Sequence, residues 1–132
     1  MAQASSARQR AVVFDSSFLI AVMEHPTPWR EDILEKVGAF RPVILASVRD
    51  ELARLSAAGD KRGRFAALAL SLLADGRLGL EPDGGGKPDD EVVSFALAQG
   101  AAVATTDSDL ASRLRASRVA TVITLRAGRV SV

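Results

Sequence analysis

Residues 11–20 read AVVFDSSFLI, a run of strand formers that ends on one aspartate and at once resumes an apolar pattern. Ala11, Val12, Val13 and Phe14 spell a short strand buried on both faces, the kind a parallel sheet encloses. Phe18, Leu19 and Ile20 open a helix directly behind it. Asp15 therefore stands where a buried strand gives way to a helix. An uncompensated carboxylate there costs several kcal/mol, so something must hold it or be held by it.

Outward from that junction, short apolar runs alternate with helical patterns, which predicts an α/β domain built on a parallel sheet. Strands are expected near 11–14, 42–45, 78–80, 102–105 and 119–125. A short helix follows Asp15, and a second runs from Pro28 to Val37, capped by Thr27 and ended by Gly38. Ser47 is expected to cap a helix reaching Ala58, and another covers Arg62 to Ala74. The stretch DGGGKP, residues 83–88, reads as a loop, and Pro88 opens a helix that ends at Gly100. The last helix starts after Thr106 and reaches about Arg115. Residues 64–74, RFAALALSLLA, are apolar nearly all round, more than one packed face needs, so a partner chain is expected there, a homodimer being the simplest.

The 132 residues are 48% hydrophobic and 25% charged, which suits one domain over 11–132 with a real core. The opening MAQASSARQR, residues 1–10, reads as a mobile polar tail with no signal-peptide core behind it. No segment is long enough to span a bilayer, so no membrane partner is expected. The absence of cysteine excludes disulfides, thiolate catalysis and zinc–thiolate sites, and fits a cytoplasmic protein. The net charge of +1 announces no polyanion, but Arg113, Arg115, Arg118, Arg126 and Arg129 follow Asp109 with no acid among them. They read either as a phosphate-binding rim or as a solvated face.

Helical phase sorts the acids. Val48, Leu52 and Leu55 line one stripe of their helix and Glu51 borders it, whereas Asp50 faces away, with Arg54 four residues on to pair with it. Val92, Val93, Ala96 and Leu97 form the next buried face; Asp89 projects to that side, Asp90 lies at its edge, and Glu91 points away. Asp107 ends a strand and shares a side with Leu110, Ala111 and Leu114, while Asp109 reads as a capping-box partner for Thr106. Asp15 and Asp107 thus both stand at carboxyl ends of parallel strands, where open α/β sheets form ligand sites. Asp15, Glu51, Asp89 and Asp107 together call for a cation, and all-oxygen donors with a single histidine suit Mg²⁺ or Mn²⁺. A metal-dependent phosphodiester hydrolase, using water as nucleophile, follows from that set.

The segments VVFDSSFLIAV, VILASVRDELARL, DDEVVSFALAQGAAVATTDSDLASRL and VITLRAGRV resemble PIN-domain nucleases across nearly the whole chain, above all compact prokaryotic members such as VapC-type toxin ribonucleases and ribosomal-RNA-processing relatives. The resemblance implies a three-layer α/β/α fold around a mostly parallel five-stranded sheet, with an acidic site that uses Mg²⁺ or Mn²⁺ to cut RNA. Asp15 matches the family's first acid, and Ser16, less surely Ser17, the small hydroxyl residue after it. Glu51 matches the second acid, Asp89 or Asp90 the third, Asp107 the aspartate of T-x-D, and Asp109 an additional acid. Thr105 would support the site, and Arg113, Arg115 and Arg118 would hold flanking phosphates.

Other chemistries fit less well. A Ser–His–Asp hydrolase would have to use His25, with no nucleophile elbow around Ser16 or Ser17. GGGKP lacks the Ser or Thr that a phosphate loop places after its lysine, and a haloacid-dehalogenase-type phosphatase wants an aspartate where Ser17 stands. The serious rival is a PIN-like module that docks on RNA or protein without cutting. As a nuclease the chain is expected to act either as a toxin restrained by a small antitoxin protein or as an RNA-processing enzyme.

Overall fold

The computed structural model describes residues 9–132. The tail expected over 1–10 lies outside the described residues up to position 8, and Arg10 already belongs to the first strand. That strand, β1 (Arg10–Phe14), leads into α1 (Ser16–Glu24) and α2 (Trp29–Val37). Next come β2 (Phe40–Leu45), α3 (Ala46–Ala57), α4 (Lys61–Ala74) and β3 (Gly79–Glu81). The chain closes with α5 (Pro88–Gln99), β4 (Ala102–Ala104), α6 (Ser108–Ala116), β5 (Val122–Arg126) and β6 (Arg129–Ser131).

The strands form one six-stranded sheet in the order β3-β2-β1-β4-β5-β6, parallel from β3 to β5, with β6 antiparallel at the end. The expected mostly parallel sheet flanked by helices is thus present, with six strands rather than five. The extra strand is a three-residue hairpin partner whose turn holds Ala127 at φ 52 and Gly128 at φ 76, both left-handed. Alanine is a poor signal for such a turn, which hides the hairpin from sequence patterning. The fifth strand also starts later than expected. Val119 is buried, but its N–H returns to Leu114 O in the turn that ends α6.

The core is a single cluster with Val12, Val13 and Phe14 of β1 wholly buried at its centre, as the opening stretch demands. Phe14 packs its ring against Phe18 and edge-on to Trp29, so the aromatics serve packing. α1, α3 and α4 pack on one another, while α5 lies against β1, β2 and β4, and α6 against β5. In α4 a stripe of Gly63, Ala66, Ala69 and Leu72 is buried, and Leu68 on the opposite side is 50% exposed. Leu97, expected in the core, is exposed as well, because the buried stripe of α5 runs through Val92, Val93 and Ala96 and Leu97 lies about 100° round the helix from Ala96.

Several helix starts are capped otherwise than expected. Thr27 does not cap α2; its hydroxyl donates to His25 O at 2.9 Å. Ser47 lies inside α3, and its own N–H is capped by the distant Asp83. Asp60 caps α4 through Gly63 N–H at 2.7 Å. The β5–β6 hairpin is pinned to α2 by Asp32, which is nearly fully buried and accepts two hydrogen bonds from Arg129 (2.7 and 2.8 Å). That guanidinium holds the Asp32 carboxyl below the usual carboxylate range.

Candidate active site

Strand order reverses between β1 and β4, whose carboxyl ends lie side by side, with Phe14 level with Ala104 and Asp15 N–H donating to Ala104 O at 2.9 Å. Asp15 is 3% exposed, and its Oδ2 accepts hydroxyls from Ser17 (2.6 Å) and Thr105 (2.9 Å). Both hydroxyls spend their protons on the carboxylate, so each also accepts: Ser17 Oγ from Thr106 N–H at 3.0 Å, Thr105 Oγ1 from Asp107 N–H at 3.1 Å. The network ties the end of β1 to the β4–α6 link with neutral donors alone. The negative charge of Asp15 is held in place without being paired.

The other acids follow the same rule. Glu51, half-buried on α3, accepts the Ser16 hydroxyl on Oε1 at 2.5 Å. The two adjacent serines thus have separate tasks, Ser16 toward Glu51 and Ser17 toward Asp15. Asp107 is the N-cap of α6, its Oδ1 accepting the N–H groups of Asp109 (2.9 Å) and Leu110 (3.1 Å). It takes the capping role that sequence phase assigns to Thr106, because its carboxylate suits the helix dipole as well as the free donors. Among the described residues, Oδ1 of Asp15, Oε2 of Glu51 and Oδ2 of Asp107 accept no hydrogen bond.

The paired aspartates of α5 differ in their surroundings. The Asp89 carboxyl is raised above the usual range, by partial burial first and then by the negative charges of Asp15, Asp107 and Glu51, with Arg113 opposing. Asp89 therefore sits in the combined field of the other three acids. Asp90 instead forms an ion pair with Arg113, Nη1 to Oδ1 at 2.6 Å. A groove of about 430 Å³ opens here, lined by Glu51, Lys87, Pro88, Asp89, Asp90 and Arg113. Lys87 gave no sign of this place in the sequence, because a loop residue has no helical phase to read.

Not every expected residue arrives. Among the described residues no three acidic or histidine side chains come close enough to ligate one ion, so the compact acidic cluster expected from the sequence is not formed. Asp15, Glu51 and Asp107 are instead each oriented by hydroxyl or N–H donors of their own. Asp109 is exposed in the first turn of α6. Arg115 lies in the last turn of that helix, and Arg118 follows in the connection to β5, at the opposite end of α6 from Asp107. Arg118 is also held at φ 66 by the helix-ending turn. Asp50 pairs with its neighbour Arg49 (3.0 Å) rather than with Arg54. His25 has a side chain 81% exposed against Glu24, in no catalytic arrangement.

The chemistry of these donors, though not their spacing, suits a hard divalent cation. The set offers carboxylate and hydroxyl oxygens only, free oxygens on Asp15, Glu51 and Asp107, and no lysine or arginine ion-paired to these or to Asp89 among the described residues. Asp15, Glu51, Asp89 and Asp107 are the residues that would hold it.

A family model described as a PIN-like domain matches residues 12–128. Among solved structures, the PIN domain endonuclease Utp24 superposes with a TM-score of 0.76 at 24% identity, covering 92% of this chain and 90% of that one. A domain of a functionally unknown protein from Methanocaldococcus jannaschii reaches 0.65 at 17% identity, covering 93% and 96%. A Pyrobaculum aerophilum protein, PAE2754, reaches 0.54 at 15% identity, covering 86% and 83%. No curated protein sequence matches the chain. At these identities the superpositions speak for the fold, and with the family match over nearly all of it the chain belongs to the PIN-like domain family.

Proposed function

We propose that this protein is an endoribonuclease dependent on Mg²⁺ or Mn²⁺. The observation that carries the reading is the position of Asp89, whose carboxyl feels the unpaired charges of Asp15, Asp107 and Glu51 from three other elements. The similarity to a PIN domain endonuclease, Utp24, supports it. When bound, the ion supplies Lewis acidity toward phosphate oxygens and activates a water for attack. The chain's own part is to hold the donors still. Ser17 and Thr105 fix Asp15, Ser16 fixes Glu51, and the α6 N-terminus fixes Asp107, each leaving one oxygen for the ion. Arg113 and Lys87 line the same groove and would meet phosphates flanking the cut.

The test is a labelled structured RNA incubated with Mn²⁺, Mg²⁺ or EDTA, with Asp15→Asn run beside the wild type. Metal-dependent cleavage that falls by more than about 100-fold in the variant is expected, since even outer-shell partners of a metal are worth about 10–100-fold. Full cleavage by Asp15→Asn would overturn the assignment. The spacing of the acids favours a second reading, an RNA-docking module that does not cut. Salt-sensitive RNA binding with no cleavage under either metal would carry that reading instead. As a nuclease, a toxin would arrest growth until a small antitoxin is co-expressed, whereas a processing enzyme would leave growth intact and trim a precursor.

A further inference from the structure

The connection between β3 and α5 contains an acid with no counterpart among the site residues. Asp83 accepts the Ser47 N–H on Oδ2 and the Gly85 N–H on Oδ1, both at 2.9 Å. The Ser47 donor belongs to the first turn of α3, where the N-cap, Leu45, brings no side-chain oxygen. Without Asp83 that donor would be orphaned. Ser47 lies one turn before Glu51, and Gly85 lies in the loop that launches α5 and Asp89. One carboxylate therefore clasps the helix bearing Glu51 and the approach to the helix bearing Asp89.

The loop is fixed from its other side too. Glu91 Oε1 accepts the Gly84 N–H at 2.7 Å, and a Cβ on Gly86 would come within 2.7 Å of Glu91 Oε2. Burial alone would raise the Asp83 carboxyl, but the nearby Ser47 hydroxyl, the Ser47 and Gly85 N–H groups and the Arg49 charge outweigh it and hold it below the usual range. The clasp is thus ionised at neutral pH and its bonds are charge-assisted.

We infer that Asp83 is a positioning residue that sets the separation of Glu51 and Asp89 across the groove. The inference rests on the metal-dependent reading above. Asp83→Asn turns an amide NH₂ toward one of two N–H donors, so one of the two links is lost while shape is kept; Asp83→Ala loses both.

The measurement is Mn²⁺ affinity by calorimetry on the full chain without RNA, followed by kcat and KM for RNA cleavage. Asp32→Asn serves as the control, because it weakens the Asp32–Arg129 clamp, whose residues do not line the groove. Asp83→Asn is expected to weaken Mn²⁺ binding about tenfold and to lower kcat with KM little changed. Asp32→Asn is expected to lower the melting temperature with Mn²⁺ affinity unmoved. Unchanged affinity and kcat in both Asp83 variants, beside a wild type that binds Mn²⁺ and cleaves, would overturn the inference alone. A wild type that binds no Mn²⁺ would overturn the metal reading and this inference together.

Discussion

Asp89 differs from the other three acids in having, among the described residues, no hydrogen-bond donor to hold it, and its carboxyl is pushed up. Its ionised form is therefore a burden on the metal-free fold. The burden is complete above the raised value, fades as pH falls from there through the ordinary carboxylate value, and is gone below it, where folded and unfolded chains are both protonated. Asp89→Asn is accordingly expected to raise the melting temperature of the metal-free protein at pH 7 and to raise it less near pH 4, by calorimetric scans. Mn²⁺ should then stabilise the wild type more than the variant. The places of Asp15 and Asp107 after strands, and of Glu51 and Asp89 on their helices, were legible in the sequence because strand ends and helical phase are written in its apolar pattern. Asp83 was not, since one of its partners is a backbone N–H 36 residues away, a meeting only the folded chain arranges.

At the level of elements, α6 shows how the proposed chemistry and stability would share one residue. Asp107 caps the helix with one oxygen and, among the described residues, its other oxygen accepts no hydrogen bond. Asparagine caps about as well as aspartate, whereas alanine loses the cap at a cost of about 1 kcal/mol. Asp107→Asn should therefore keep the metal-free stability within a few tenths of a kcal/mol yet abolish cleavage. Asp107→Ala should lose both, as denaturant melts and the RNA assay would show. A destabilised Asp107→Asn would mean the charge, not the cap, is what α6 needs. Helix bounds were readable from periodicity to within a residue or two, although Thr27, Ser47 and Thr106 are not the caps used. The hairpin strand β6 was not, because three residues carry too little alternation and its turn places alanine in a left-handed conformation. Local pairing also misleads: Arg54 has helical spacing to Asp50, but adjacent Arg49 reaches that carboxylate first.

Over the whole molecule, a net charge of +1 gives little general attraction for RNA, so affinity has to come from the few cations at the groove. Arg113 is one of them, and it must exchange Asp90 for a phosphate to bind. Arg113→Ala is expected to flatten the log–log salt dependence of RNA binding by about 0.7, the value for one single-strand phosphate contact. Arg118→Ala, at the far end of α6, should leave the slope unchanged, by fluorescence anisotropy across a salt series. An equal effect of both would restore the broad basic rim that the run of arginines suggests.

The two borders of the sheet are β3 and β6, each only three residues long, and Arg41 bridges the first of them to β2 through Glu81 at 2.8 Å. So short a border offers few free backbone groups for an incoming strand to zip onto. A macromolecule that meets the described residues finds side chains on helices and loops far more than free strand edge. The same brevity guards the chain against edge-to-edge aggregation at high concentration.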